Sequence, residues 1–473
     1  MFLDFAWLSA TLLIVSIIPS TSQSELAPCL GHNESLELVP DSYIVKLKDN
    51  HTLEAHLHHI GFNISSPNYD YSYIDILPGY HVKANQSIVD NLIRKDAGVE
   101  WVECDSRADL PKTLQVYPRH TKKWNQRLKR WAAITMSGVP FNLAMQSTVE
   151  KMVNTEDTEK RYFYWSEAGR NVDIYIIDTG IKLDHPEFLG RASNFRGWRT
   201  SPYIDGPDST MNDTHVLMHG TCVASIAGGT LIGTGKEANI INVKAWRRQG
   251  GWSSIIRAVN DVTKAHNSKK RNCCRYRSFA GSIIYMSIVG RYNEALAIAI
   301  RKAKRAGIPF VTGAGNNNED ARDTFPCNLD ETICVASTDE RYRKANDSNY
   351  GRHVTVSAPG DGPLCATVRD NDFTYRYTSG TSPAAAYVAG TLAHFISYEK
   401  IRSNTELVMK RMRDNWNINQ LEGFPESTPN TFNNNGFLNQ YKSVLQPYAG
   451  APEHEKSAPC QCFSPSRRRS RDN

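Results

Sequence analysis

Residues Val172 to Asp178 (VDIYIID) form a β-branched, largely apolar run, the pattern of a buried central strand. The run ends in an acid followed by Thr179-Gly180, as a central strand would at a sheet edge. Pro309 to Thr312 reads as a second such strand and leads into Gly313-Ala314-Gly315-Asn316. Small and apolar residues at Cys222 to Gly229 follow His219-Gly220-Thr221 and predict a helix packed tightly beside a strand. A second strand-to-helix turn is predicted at Ser379-Gly380-Thr381-Ser382, before the small residues Pro383 to Ala386.

Upstream, the periodicity changes. Asp41 to Leu47 alternates like a half-exposed strand, and His51 to Ile60 has helical spacing. Ser87 to Asp96 reads as a second helix and Val99 to Glu103 as a further strand, so a small α+β unit is predicted. The polar, basic stretch from Arg107 to Arg130 reads as an exposed connection, with Lys129-Arg130 one place where it could be cut. Beyond about Gln420 the chain turns to Asn, Pro, Ser and Gly, with NTFNNNG at Asn430 to Gly436, and predicts a loose, partly disordered extension.

At the start of the chain, Phe5 to Ile18 is apolar but too short to cross a bilayer, and Pro19 to Ser22 follows. This predicts a signal peptide over 1–22, a secreted protein and no stable membrane association. Asp4 and the lack of Lys or Arg before the apolar run leave an uncleaved anchor as the alternative. The expected organisation is then an N-terminal unit over 23–106, a linker over 107–130, a main domain over 131–420 and an extension over 421–473.

Chemistry enters through the Gly-marked turns. Asp178, His219 and Ser382 form a set of orienter, base and nucleophile in the order Asp, His, Ser. A histidine accepts and returns a proton near neutral pH, and a helix N-terminus at Ser382 offers backbone donors. Asn316 adds an amide that can donate to an oxyanion. Each alone has a simpler reading: a turn Asp, a structural His, a helix-capping Ser, an Asn-rich turn.

The four motifs occurring together resemble the subtilase family of S8 serine endopeptidases, closest to the fungal proteinase K branch. GNNNEDAR from Gly315, SNYG at Ser348 to Gly351, APG at Ala358 to Gly360 and SGTS at Ser379 carry the likeness, which covers roughly Trp131 to Tyr398. The resemblance implies an α/β fold: a subtilisin-like parallel sheet flanked by helices, preceded by a small α+β inhibitor-type propeptide domain. It implies peptide-bond hydrolysis through an acyl-enzyme, with protein or peptide substrates and the chain's own propeptide as an intramolecular inhibitor. Substrate is expected to add as a strand along Ser287, Ile288, Val289 and Gly290, with Gly313, Ala314 and Gly315 lining the cleft. No cofactor or metal is expected, because Thr355 stands where relatives place a calcium-binding aspartate, and a monomer is expected.

The chain also departs from the family. Met218 replaces the Gly before the histidine, Val289 replaces a Gly of the substrate strand, Pro383 follows the serine, and Ala386-Tyr387 replaces a Pro-His pair. These departures define the alternative, a poorly active subtilase-derived binding or scaffold protein. The +6 formal charge is mild for 473 residues, and only Arg467 to Arg471 is strongly basic, so no nucleic-acid partner is indicated. Ten cysteines and six N-x-S/T sequons, at Asn33, Asn50, Asn63, Asn85, Asn212 and Asn346, fit the secretory route. Cys222 is expected to be a small buried packing residue, and no disulfide pairing follows from the sequence.

Overall fold

The structure is a computed structural model. It describes residues 26–438 except 32–37, 62–68, 73–76, 110–117, 120–132, 155–157, 199–209, 247–250, 273–274, 277, 370–371 and 400–403. The expected signal peptide, Lys129-Arg130, the paired cysteines 273–274, and Cys460 and Cys462 lie outside the described residues.

The N-terminal unit is a five-stranded sheet made of β1 (Cys29–Leu30), β2 (Leu38–Leu47), β3 (Tyr69–Ser72), β4 (Gly79–Lys83) and β5 (Val99–Ser106), in the order β1-β5-β2-β4-β3. It carries α1 (Leu53–Ile60) and a short helical turn, α2 (Gln86–Ile88), that continues as a π-turn to Ile93. The first helix starts two residues later than the spacing predicts, because the Thr52 side chain caps the Ala55 amide. Val45, Tyr80, Val82, Val89, Ile93 and Val102 fill its core.

After β6 (Ala108–Asp109) and β7 (Pro118–Arg119), the main domain begins with β8 (Ala133–Ser137), α3 (Phe141–Ala144) and β9 (Arg161–Trp165). It continues through β10 (Val172–Asp178), β11 (Ala192–Asn194), α4 (His219–Gly228), β12 (Asn239–Lys244), α5 (Trp252–Arg271), β13 (Gly281–Tyr285) and β14 (Val289–Gly290). Then come α6 (Glu294–Ala306), β15 (Phe310–Gly313), β16 (Ile333–Thr338), β17 (Val356–Pro359), β18 (Asp361–Arg369), β19 (Asp372–Ser379), α7 (Thr381–Glu399), α8 (Thr405–Asn415), β20 (Asn417–Ile418) and β21 (Thr431–Phe432). Among the described residues the main sheet has the order β11-β12-β10-β13-β15-β16-β17-β21-β20, and all its pairings are parallel except β20 with β21.

The sheet is filled on both sides, as the strand composition requires. Val172, Ile174 and Ile176 of β10 join the core under α4 and α7, while Tyr175 and Ile177 join the core under α5 and α6. Strand order reverses at β10, which has β12 on one side and β13 on the other. The carboxyl edge at such a switch point is where open α/β sheets form their crevice. Among the described residues no helix is long and apolar enough to cross a membrane.

Residues 417–437 differ from the loose extension predicted after residue 420. β21 pairs with β17 at Ser357 and Phe432, and Asn433, Asn434 and Asn435 are buried. Their amides donate to Gln146 and Thr391, to Thr148 O, and to Phe163 O. A polar run that reads as a loop is therefore an internal cross-link, whose cost of burial is partly offset by these donated hydrogen bonds.

Two acidic side chains of β5 dock the N-terminal unit. Glu103 accepts from Glu294 N at 2.9 Å and Ala295 N at 3.2 Å, at the start of α6. Asp105 accepts from Ser253 N at 3.3 Å at the start of α5, whose N-cap Gly251 offers no side chain. Carboxylates at helix N-termini answer both the unbonded amides and the positive end of the helix dipole. Burial, with Glu294 and Asp105 nearby, pushes the Glu103 carboxyl up to about 7. Because this value lies above the ordinary 4.5, protonation favours the docked state; the contribution is complete below the ordinary value and is lost as pH rises through the docked one. Hydrogen exchange at the Glu294 and Ala295 amides is therefore expected to accelerate, beyond its intrinsic pH dependence, between about pH 5 and 8. In Glu103→Gln that excess should vanish.

Candidate functional site

Asp178 ends β10 with its side chain fully buried, and His219 is the first residue of α4. His219 Nδ1 lies 2.8 Å from Asp178 Oδ1 and 3.0 Å from Oδ2, while Asp178 Oδ1 also accepts from Thr179 N at 2.7 Å. Gly220 permits this approach. A Cβ there would lie 2.1 Å from Gly180 O and 3.2 Å from Asp178 Oδ1.

A second carboxylate sits behind the pair, and the sequence reading missed it. Asp213 accepts from Thr179 Oγ1 at 2.9 Å through one oxygen. Through the other it accepts from Thr221 N at 2.8 Å and Thr221 Oγ1 at 2.7 Å. It thereby ties the turn after β10 to the first turn of α4, and Thr179 Oγ1 in turn accepts from Gly220 N at 2.9 Å. Burial, with Asp178 nearby, pushes the Asp213 carboxyl up. An Asp six residues before a histidine in a polar loop gives no pattern that marks this role.

Ser382 is the second residue of α7 and is fully buried. Its Oγ accepts from Ser287 Oγ at 2.8 Å, and its backbone carbonyl accepts from Tyr285 OH at 3.0 Å. His219 Nε2 has no hydrogen-bond partner among the described residues. The Asp178–His219 half of the predicted triad is thus assembled, while the serine hydroxyl is engaged by Ser287.

Asn316 follows the end of β15. Its Oδ1 accepts from Thr381 N and Thr381 Oγ1, both at 2.9 Å, which turns the amide nitrogen toward Gly380. A Cβ on Gly380, at φ +124°, would lie 2.6 Å from Asn316 Nδ2. Gly313 lies against Thr381 Oγ1 and Ser287 Oγ, at 2.7 and 2.8 Å from a hypothetical Cβ, so only a glycine leaves this floor open. Gly315 N donates to Thr381 Oγ1 at 3.1 Å, and Ala314 is buried beside Cys334 and Ala336.

Of the predicted substrate strand, Ser287 reaches the site, but the Ile288 side chain does not. Ile288 is fully buried in the core under α5 and α6, because alternate residues of an extended chain point to opposite faces. Val289 and Gly290 pair antiparallel with Asp109 and Ala108 of β6. On the other side, Arg107 bridges to Gly251 and the Trp246 indole donates to Ala108 O at 2.7 Å. Val289 is therefore accommodated in an extended pairing.

The remaining departures are absorbed without disturbing the helices. Pro383 lies in the first turn of α7, where a missing N–H leaves no intrahelical bond broken. Ala386 and Tyr387 are fully buried, and Thr355 Oγ1 accepts from Cys334 N at 3.1 Å. Cys222 is more than the packing residue expected: it is disulfide-bonded to Cys365, joining α4 to β18 across 143 residues, and Cys327 bonds to Cys334.

Met218 caps α4 in the left-handed region, at φ 47° and ψ 46°. A side chain there costs about 1 kcal/mol or more. Met218→Gly is expected to raise stability by about 1 kcal/mol, read as a higher urea midpoint at an unchanged slope.

The sequence profile of the subtilase family matches residues 169–428. A subtilisin-like protease of Coccidioides posadasii is 28% identical over 469 residues, covering 91% of this chain and 88% of that one. The cuticle-degrading protease of Metarhizium anisopliae is 29% identical over 421 residues, covering 88% of this chain and 94% of that one. Among solved structures, a cold-adapted subtilisin-like serine proteinase superposes with a TM-score of 0.51 at 25% identity, over 63% of this chain and 99% of that one. With the matched profile covering the sheet from β10 through β17 and the N-termini of α4 and α7, the chain belongs to the subtilase family and is a serine endopeptidase.

Proposed function

We propose that this chain is a secreted endopeptidase made as a zymogen, in which Ser382 attacks the scissile carbonyl, His219 is the base and Asp178 its orienter. The observation that carries the reading is the buried Asp178–His219 pair at 2.8 Å, together with Ser382 in the first turn of α7. Asp178 fixes the imidazole tautomer, so that Nε2 is left to take the Ser382 proton and return it to the leaving amine. The backbone N–H of Ser382 and the Asn316 amide then stabilise the oxyanion. The Ser287 hydroxyl holds Ser382 Oγ until His219 engages it.

The pairing of β6 between Gly251 and β14 supports the zymogen reading. Residues 107–109 lie as an added strand on the segment that the sequence reading assigned to substrate, so the N-terminal unit covers the cleft with its own chain. The scissile bond of maturation then falls C-terminal to Asp109. The apolar run Phe5 to Ile18 and the two disulfides support secretion.

A fluorophosphonate is expected to label the wild-type protein, shortened by loss of its N-terminal unit, and to leave Ser382→Ala unlabelled and full length. Labelling that persists in Ser382→Ala would sink the assignment of the nucleophile. Asn316→Ala is expected to lower kcat about 10²- to 10³-fold with little change in KM; that magnitude belongs to subtilisin, a member of this family.

A further inference from the structure

We propose that His51, His56 and Asp96, in the N-terminal unit, form a binding site for one divalent transition-metal ion of the zinc type. Asp96 Oδ2 lies 2.5 Å from His56 Nδ1 and 3.3 Å from His51 Nε2, and one ligand atom from each of the three residues falls within 4.8 Å of the others. Ligands held about 2.0–2.1 Å from a tetrahedral zinc stand about 3.3–3.4 Å apart. The His51–Asp96 edge already has that length. The His56–Asp96 edge reaches it by opening about 0.8 Å, and the His51–His56 edge, within 4.8 Å, reaches it by closing up to about 1.4 Å through rotation of the partly exposed His51 ring.

The donor set is one that suits zinc: two imidazoles and a carboxylate, with a fourth position left for water. The outer shell is also in place. His56 holds Tyr80 OH on its other ring nitrogen at 2.8 Å, and the other Asp96 oxygen accepts from Gly98 N at 2.8 Å. Such contacts fix the orientation of a metal-binding His and carboxylate.

An ordinary His–Asp hydrogen bond joins His56 to Asp96, and His51 stands 3.3 Å from the same oxygen as a second imidazole on one carboxylate. His51 Nε2 is buried with no hydrogen-bond partner among the described residues, although it faces the same carboxylate oxygen. Its ring rests on Gly98, where a Cβ would lie 2.2 Å from His51 Cδ2, so the glycine leaves the space the ring occupies. The His51 side chain as a whole is 25% exposed while its Nε2 is buried, so the site lies just beneath the surface.

An ion there would join the turn after β2, the buried face of α1 and the turn before β5. The N-terminal unit has a small core, and units of this size commonly need a staple. Binding energy at a site assembled only in the folded state adds to folding stability.

The test is cobalt(II) titration of the full-length chain carrying Ser382→Ala, with the N-terminal unit verified by intact mass. One equivalent is expected to give visible d–d absorption of tetrahedral intensity, which zinc displaces. His51→Ala should abolish it, and His59→Ala, an exposed neighbour on α1, should leave it unchanged. Tyr80→Phe should weaken affinity about ten- to a hundredfold. No tetrahedral absorption from a folded N-terminal unit, or an unchanged titration in His51→Ala, would overturn the site. Should His51→Ala fail to fold, unchanged affinity in Tyr80→Phe overturns it instead.

Discussion

Two helices, α4 and α7, must bring their N-termini to the end of one buried strand, and the distances around Asp178 show how little room this leaves. Gly220 lets α4 come within contact of the Gly180 carbonyl. Gly390 does the same deeper in the fold, where a Cβ would lie 2.1 Å from Thr234 Oγ1 and 2.2 Å from Ala227 O. The alanines of α7 complete that contact, since Ala385, Ala386 and Ala389 are buried in the same core as Val223 and Ala227 of α4. Interiors at this density do not yield to added methylenes, so the small residues fix how closely α4 and α7 pack.

Electrostatics then work on a frame already set. Asp178 and Asp213 are two buried acids near one helix start, and each is given several donors. Their hydrogen bonds compensate for removal from water. The same logic operates where the N-terminal unit meets α5 and α6. Both helices begin beside the cleft and both receive a carboxylate from β5. One edge of the sheet therefore gathers several helix N-termini, and their unsatisfied amides account for both the chemistry and the docking.

The sequence by itself determined the elements whose causes are local. The Val172 to Asp178 run reads as a buried strand and the small residues after His219 and Ser382 as close-packed helices, and the structure has Asp178 at a strand end, His219 and Ser382 at helix starts and Asn316 after a strand. The N-terminal unit was legible for the same reason, from alternation and helical spacing. Tertiary structure decided what depends on residues far apart in the chain. Asp213 acquires its role from Thr179 and Thr221, and Ser287 faces Ser382 while Ile288 turns to the core. Cys222 finds Cys365 across 143 residues, and three asparagines that read as a loop become a buried cross-link once Gln146, Thr148 and Phe163 are brought beside them. Propensity and periodicity report on neighbours within a few residues, whereas hydrogen-bond partners and disulfides are chosen by the sheet order, which brings distant segments to the same edge.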